Sequence, residues 1–212
     1  MVYHAIMPSN NSHSEIWLIR HGETAWSLSG AHTGRTDIPL TAAGERHAQE
    51  IGRYLGGRPF ALVLTSPLQR ARETSRLAGY GGGAQIDPDL SEWDYGAYEG
   101  RTSAQIQASA LGWTIWTSPV PEGETIQQVA ARAGCVIVRA SNAGGDVALF
   151  AHGHLLRVLT ACWLGLPPDA GRLFALSTAT LSVLGYERAT RVISQWNFSA
   201  REVAPSSQPV RA

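Results

Sequence analysis

Arginine and histidine gather at three places in this chain, each just after a short apolar run. Arg20 and His21 close IWLI (16–19), Arg70 follows ALVLT (61–65), and His152 and His154 flank Gly153 directly after DVALFA (146–151). A guanidinium fork matches the oxygens of a phosphate and stays charged at any relevant pH. Imidazole can attack phosphorus when neutral and donate a hydrogen bond when protonated. One histidine as nucleophile, a second as cation and two arginines as clamp would stabilise an in-line phosphoryl transfer electrostatically. Gly22 and Gly153, one beside each histidine, are expected to let the backbone approach a tetrahedral anion. The departing oxygen would also need a proton. DLSEWDYGAYEG (89–100) offers Glu92, Asp94 and Glu99 beside Trp93 and Tyr95, and spacing does not choose among the three.

For these residues to meet, the apolar runs must be neighbouring strands of one sheet. All three have the short, uninterrupted form of buried parallel strands. Between them lie amphipathic stretches. TAAGERHAQEIGRYL from Thr41 puts Ala48, Ile51 and Leu55 on one face. SPLQ predicts a helix capped by Ser66, with Pro67 in its first turn and Gln69 closing a capping box, and TIQQ at Thr125 repeats that signature. HLLRVLTACWLGL after Gly153 reads as a helix ended by Pro167 and Pro168. TLSVLGYE (180–187) and RVISQWNF (191–198) predict an edge hairpin. This order implies a three-layer α/β/α sandwich with a mostly parallel central sheet, and such sheets bind ligands at the carboxyl ends of their strands.

Composition narrows the class. The chain has 212 residues, 44% of them hydrophobic, which suits one large globular domain over 15–200 between a loose leader (1–14) and a loose tail (201–212). Formal net charge is zero, so no general basic field exists for nucleic acid or a membrane surface, and an anion must be held locally. No apolar run approaches the ~20 residues of a membrane span. No secretory signal is read at the start, so a cytoplasmic location is expected. Cys135 and Cys162 read as small core residues of their helices. The pair in His152-Gly153-His154 could present two nitrogens to a metal, yet no acidic residue follows nearby until Asp169, so no metal or other cofactor is expected.

The blocks LIRHGETAW, TGRTDIPLTAAGERHA, TSPLQRARET, LSEWDYGAYEG, PEGET and FAHGHLLR, in that order over residues 15–187, resemble the histidine phosphatase superfamily, which includes the cofactor-dependent phosphoglycerate mutases. The resemblance implies a phosphoglycerate mutase-like fold and a metal-independent enzyme working through phosphohistidine. It makes His21 the nucleophile and Glu92 the acid and then the base, with Arg20, Arg70 and His152 holding the phosphoryl group. It also implies substrate contacts at Thr33, Gly34, Gly153 and His154, and Ser27, Tyr95 and Arg157 are further candidates around the pocket. The segment RTSAQIQASALGWTIWTSPV (101–120) is shorter than the mutases' insertion and offers Arg101 but no arginine pair for a second phosphate. The chain is most similar to the subgroup with sedoheptulose-1,7-bisphosphatase and mycobacterial-type acid phosphatases. A phosphatase acting on small phosphate monoesters, sugar phosphates or bisphosphates, is therefore expected, with cofactor-dependent phosphoglycerate mutase as the alternative. A pH optimum on the acid side of neutral follows from the need for a protonated Glu92. Trp26 and Trp93 are candidate pocket walls, and Trp113 and Trp116 in the short segment would serve packing or a homodimer contact.

Overall fold

The computed structural model describes residues 14–200; the rest of the leader and the whole tail lie outside them. Six strands form one sheet: β1 (Ile16–Arg20), β2 (Leu62–Thr65), β3 (Gln85–Ile86), β4 (Val147–Ala151), β5 (Thr180–Glu187) and β6 (Thr190–Ser199). Their order is β3-β2-β4-β1-β5-β6. The first four are parallel, and the β5–β6 hairpin adds antiparallel to the β1 edge, as its pattern predicts.

Alternation along β1 and β4 makes the three layers. Ile16, Leu18, Val147, Leu149 and Ala151 face one cluster with α5 (Ile126–Ser141) and α6 (Gly153–Trp163). Trp17, Ile19, Ala148 and Phe150 face the other, with Ile51 and Leu55 of α2 (Ala42–Leu55) and Ala78 just after α3 (Gln69–Leu77). Each fully buried Leu, Ile, Val or Phe contributes about 1.5–3 kcal/mol, and both faces of the sheet carry a continuous set. Two short helices, α1 (Ala25–Ser29) and α4 (Ser103–Gln107), contribute Ser27, Ser103 and Gln107 to the cavity that Arg20, at the end of β1, also lines.

The capping box at Thr125 forms, with Gln128 reaching back to the Thr125 N–H. The one expected at Ser66 does not. The helix starts later, its N-cap is Leu68, and Gln69 instead donates its side-chain amide to the Asp37 carbonyl. Ser66 Oγ is drawn into the site described below and accepts from the Leu68 N–H. The reading of Cys135 is also corrected. It is exposed on the outer face of α5, off the stripe of Val129, Ala133, Val136, Ile137 and Ala140 that meets the sheet, and Cys162 is half-buried. Among the described residues no helix is long and apolar enough to cross a membrane.

Candidate active site

Parallel pairing of β1 with β4 brings Arg20 level with Ala151, and the His21 N–H continues the ladder to the Ala151 carbonyl. His21 and His152 therefore leave adjacent strands side by side, their ring centroids 5.2 Å apart. Arg70, one helical turn beyond β2, reaches in beneath them, and its Nε donates to His152 Nδ1 at 3.2 Å. The rest of its guanidinium holds the loop after α1 by donating to the carbonyls of Thr36, Thr33 and Gly34 at 2.9–3.0 Å.

His21 Nδ1 lies 2.7 Å from its neighbour's carbonyl, Gly22 O. A carbonyl only accepts, so Nδ1 carries the proton and Nε2 keeps its lone pair. Burial, then the charges of Arg20 and Arg70, push the pKa of His21 well below 6.5. His21 is thus a neutral imidazole with a fixed tautomer. Beside it, Arg20 has one hydrogen bond to the Leu176 carbonyl, while its Nε is buried with no partner. A buried N–H of a cation left unpaired costs at least about 1–3 kcal/mol, and an anion in this space would recover it.

The expectation of a cationic second histidine is not met. Burial, followed by Arg70, His21 and Arg20, holds the His152 pKa well below 6.5. Its Nδ1 accepts from Arg70, so Nε2–H points at Ser66 Oγ, 2.7 Å away. This also parts the two rings of the His-x-His pair, because His154 Nδ1 instead meets the Tyr95 hydroxyl at 2.6 Å.

The structure separates the three carboxylates. Asp94 pairs with Arg35 at 2.7 Å, and Glu99 accepts from the N–H groups of Gly34 and Thr36. Glu92 alone of the three lines the same cavity as Arg20 and His21. Its oxygens accept from Trp93 N–H at 3.0 Å and from the first turn of α6, Leu155 N–H at 2.9 Å and His154 N–H at 3.0 Å. Arg132 of α5 secures the chain behind it, donating to the carbonyls of Asp89, Ser91 and Glu92 and pairing with Glu124.

The cavity measures about 460 Å³ and is lined by Arg20, His21, Ser27, Thr33, Glu92, Tyr95, Gly153, His154 and Arg157 among the predicted residues. Arg70 and His152 stand behind this wall, fully buried. Gly34 is not on it either: a Cβ there would meet Trp93 O at 2.5 Å and Glu99 Oε2 at 2.7 Å, so its glycine is a packing requirement. The glycines beside the histidines also have a packing reason. A Cβ on Gly22 would strike the Gly44 carbonyl at 2.6 Å, and one on Gly153 would come within 3.1 Å of Arg20 Cζ. Ser27 Oγ is bonded within its own turn to Thr24 as a capping box. Trp93 is buried with its edge toward His154, whereas Trp26 packs near Gly100 and does not line the cavity.

Sequence reasoning missed His32, which lines the cavity. Its ring sits 4.7 Å from Tyr95 and 5.9 Å from His154, and its Nε2 lies 3.2 Å from Ser103 Oγ. Burial lowers its pKa to about 4. The signal is present in HTG (32–34), where the histidine directly precedes the threonine and glycine named as candidates.

The sequence profile of the histidine phosphatase superfamily (branch 1) matches residues 16–199. The chain belongs to that superfamily. An acid phosphatase of Mycobacterium tuberculosis is 39% identical over 181 residues, 84% of this chain and 89% of that protein. Sedoheptulose 1,7-bisphosphatase of Saccharomyces cerevisiae is 35% identical over 70% of this chain and 67% of its own length. The solved structure of an open reading frame product of Mycobacterium tuberculosis superposes with a TM-score of 0.84 at 37% identity, covering 88% of this chain and 98% of that one. By class, this histidine phosphatase is a phosphoric monoester hydrolase, and its sheet is the family's α/β fold.

Proposed function

We propose that this histidine phosphatase hydrolyses small phosphate monoesters, sugar phosphates or bisphosphates, without a metal and through a phosphohistidine on His21. The observation that carries the reading is the unpartnered, buried Nε–H of Arg20 beside a neutral His21 whose tautomer is fixed. His21 Nε2 attacks phosphorus, the ester P–O bond breaks, and the departing alkoxide takes a proton from Glu92. The positive charge gained by the ring is offset by the Gly22 carbonyl on Nδ1–H. Glu92, now ionised, takes a proton from water, whose oxygen attacks phosphorus. The P–N bond then breaks and inorganic phosphate leaves, with His21 and Glu92 restored. Arg20 offers its unpartnered Nε–H to the arriving dianion, and Arg70 and His152 would join it in holding the phosphoryl group only by giving up bonds to the loop carbonyls and to Ser66 Oγ. Thr33, Ser27, Tyr95, His154 and Arg157 would meet the rest of the substrate.

The test is phosphate release from p-nitrophenyl phosphate. His21→Ala is expected to lose about 10³-fold or more in kcat, and the wild type should keep its rate in a strong chelator. A His21→Ala enzyme of normal activity, or loss of the wild-type rate on chelation, would overturn the reading. Turnover of 3-phosphoglycerate that depends on 2,3-bisphosphoglycerate would favour the mutase instead.

A further inference from the structure

Besides Arg20, His21 and Glu92 the same cavity carries a second set of lining residues, its aromatic chamber. Trp113, Trp116 and His32 supply rings, and Ser103, Gln107 and Thr114 supply neutral hydrogen-bonding groups. Arg20, Glu92 and Arg157 are the charged side chains on the whole lining, and the first two belong to the reacting end. Arg157 is engaged through two of its three nitrogens. Its Nε and a terminal nitrogen donate to the carbonyls of Gly171 and Arg172, and its face stacks 4.4 Å from the centre of the Trp116 ring. It packs on one face of the indole, and Trp93 meets the same indole edge-on at 6.3 Å.

The two histidines of the chamber are uncharged. Burial lowers His32 to about 4, and burial with Arg157 holds His154 well below 6.5. The Tyr95 phenol, raised well above 10 with burial the leading cause, keeps its proton and hydrogen-bonds His154 Nδ1. That bond leaves Nε2 as the ring nitrogen His154 can offer, a neutral donor or acceptor. Uncharged donors and acceptors between aromatic faces suit a ring whose faces are apolar and whose rim bears hydroxyls. They give a second phosphate or a carboxylate little to exchange for its hydration. The volume, about 460 Å³, sits low in the ~300–1,000 Å³ typical of small-ligand pockets, enough for one phosphorylated ring.

We propose that the chamber selects monophosphates whose leaving group is a single uncharged, hydroxyl-bearing ring, with Trp116 as the platform, and disfavours esters carrying a second anionic group. This rests on the phosphatase reading and narrows its substrate class. The test is kcat/KM of the full chain on hexose and pentose monophosphates, fructose 1,6-bisphosphate, 3-phosphoglycerate, glycerol 3-phosphate and p-nitrophenyl phosphate. The best sugar monophosphate should exceed the bisphosphate, 3-phosphoglycerate and the ringless glycerol ester by about tenfold or more. In Trp116→Ala the preference for the ring over the glycerol ester should collapse toward one through a raised KM, and Trp116→Phe should restore most of it. Equal or better use of the bisphosphate or of 3-phosphoglycerate by the wild type would overturn the proposal, whether or not the alanine variant folds. So would a preference unchanged in Trp116→Ala. Release from p-nitrophenyl phosphate with no preference among the others sinks this inference alone, whereas no release from any ester sinks the phosphatase reading with it.

Discussion

Around His21 the walls are strand ends and the first turn of a helix. β1 delivers Arg20 and His21, β4 delivers His152, and two N–H groups of α6 hold Glu92. Trp113 and Trp116, in the aromatic chamber of the same cavity, sit on a stretch whose regular structure is one short helix, α4. The indole N–H of Trp113 is anchored to the Pro119 carbonyl and its ring edge-packs on Tyr98 at 5.1 Å. The reacting end is thus fixed by ladder hydrogen bonds that cannot shift without opening the sheet. The chamber is fixed by side-chain packing, which can change residue by residue. On the proposed reading, chemistry sits on the part that resists change, and selectivity on the part that tolerates it.

Glu92→Gln attacks the reacting end and should have the largest effect, about 10²–10⁴-fold in turnover. With p-nitrophenyl phosphate, whose leaving group needs little help, a burst followed by a trapped phosphoenzyme is expected, since the second step loses its base. A uniform slowing with no burst would remove Glu92 from that step.

Acid should loosen both regions together. His21, His32, His152 and His154 all have folded-state pKa values below the ordinary 6.5, with burial the leading cause at each. Below pH 6.5 the unfolded chain therefore binds more protons than the folded one. Stability is fully present above 6.5 and falls as pH drops through the range below it, which for His32 extends to about 4. Thermal unfolding at pH 7.5, 6.5 and 5.5 measures this, and a melting temperature that is flat across the last two would contradict the buried neutral rings. Activity limited by neutral His21 should, by the same sign, persist well below pH 6.5.

Two glycine substitutions separate the regions at smaller scale. Gly22→Ala forces a methyl against the Gly44 carbonyl at 2.6 Å, backbone on both sides, and should cost about 1–3 kcal/mol or more while lowering kcat. Gly112→Ala in the chamber segment meets nothing within 4 Å and bears only the strain of φ +73°, about 1–2 kcal/mol, with kcat on p-nitrophenyl phosphate retained. Chemical denaturation with parallel kinetics reads both. Equal losses of kcat would erase the distinction between the two regions.

Much of this was legible in the chain. The apolar runs at 16–19, 61–65 and 146–151 became β1, β2 and β4, the hairpin formed at the edge, and His21, Arg20 and Glu92 share one cavity. The failures have a common cause. Ser66 carries a good capping signature, but a buried His152 Nε2–H needed an acceptor, and tertiary demand outweighed the local one. His32 resembles any loop histidine until Tyr95, Trp113 and His154 close around it.

By itself the sequence determined which strands exist, their buried character and which residue types stand at their ends, because period and punctuation are local properties of the chain. Only the tertiary structure decided which carboxylate shares a cavity with His21 and that burial and Arg70 hold His152 neutral. Those depend on burial and on hydrogen-bond partners up to 86 positions away, as between Ser66 and His152. No local pattern encodes a field summed over groups that meet only when the sheet closes.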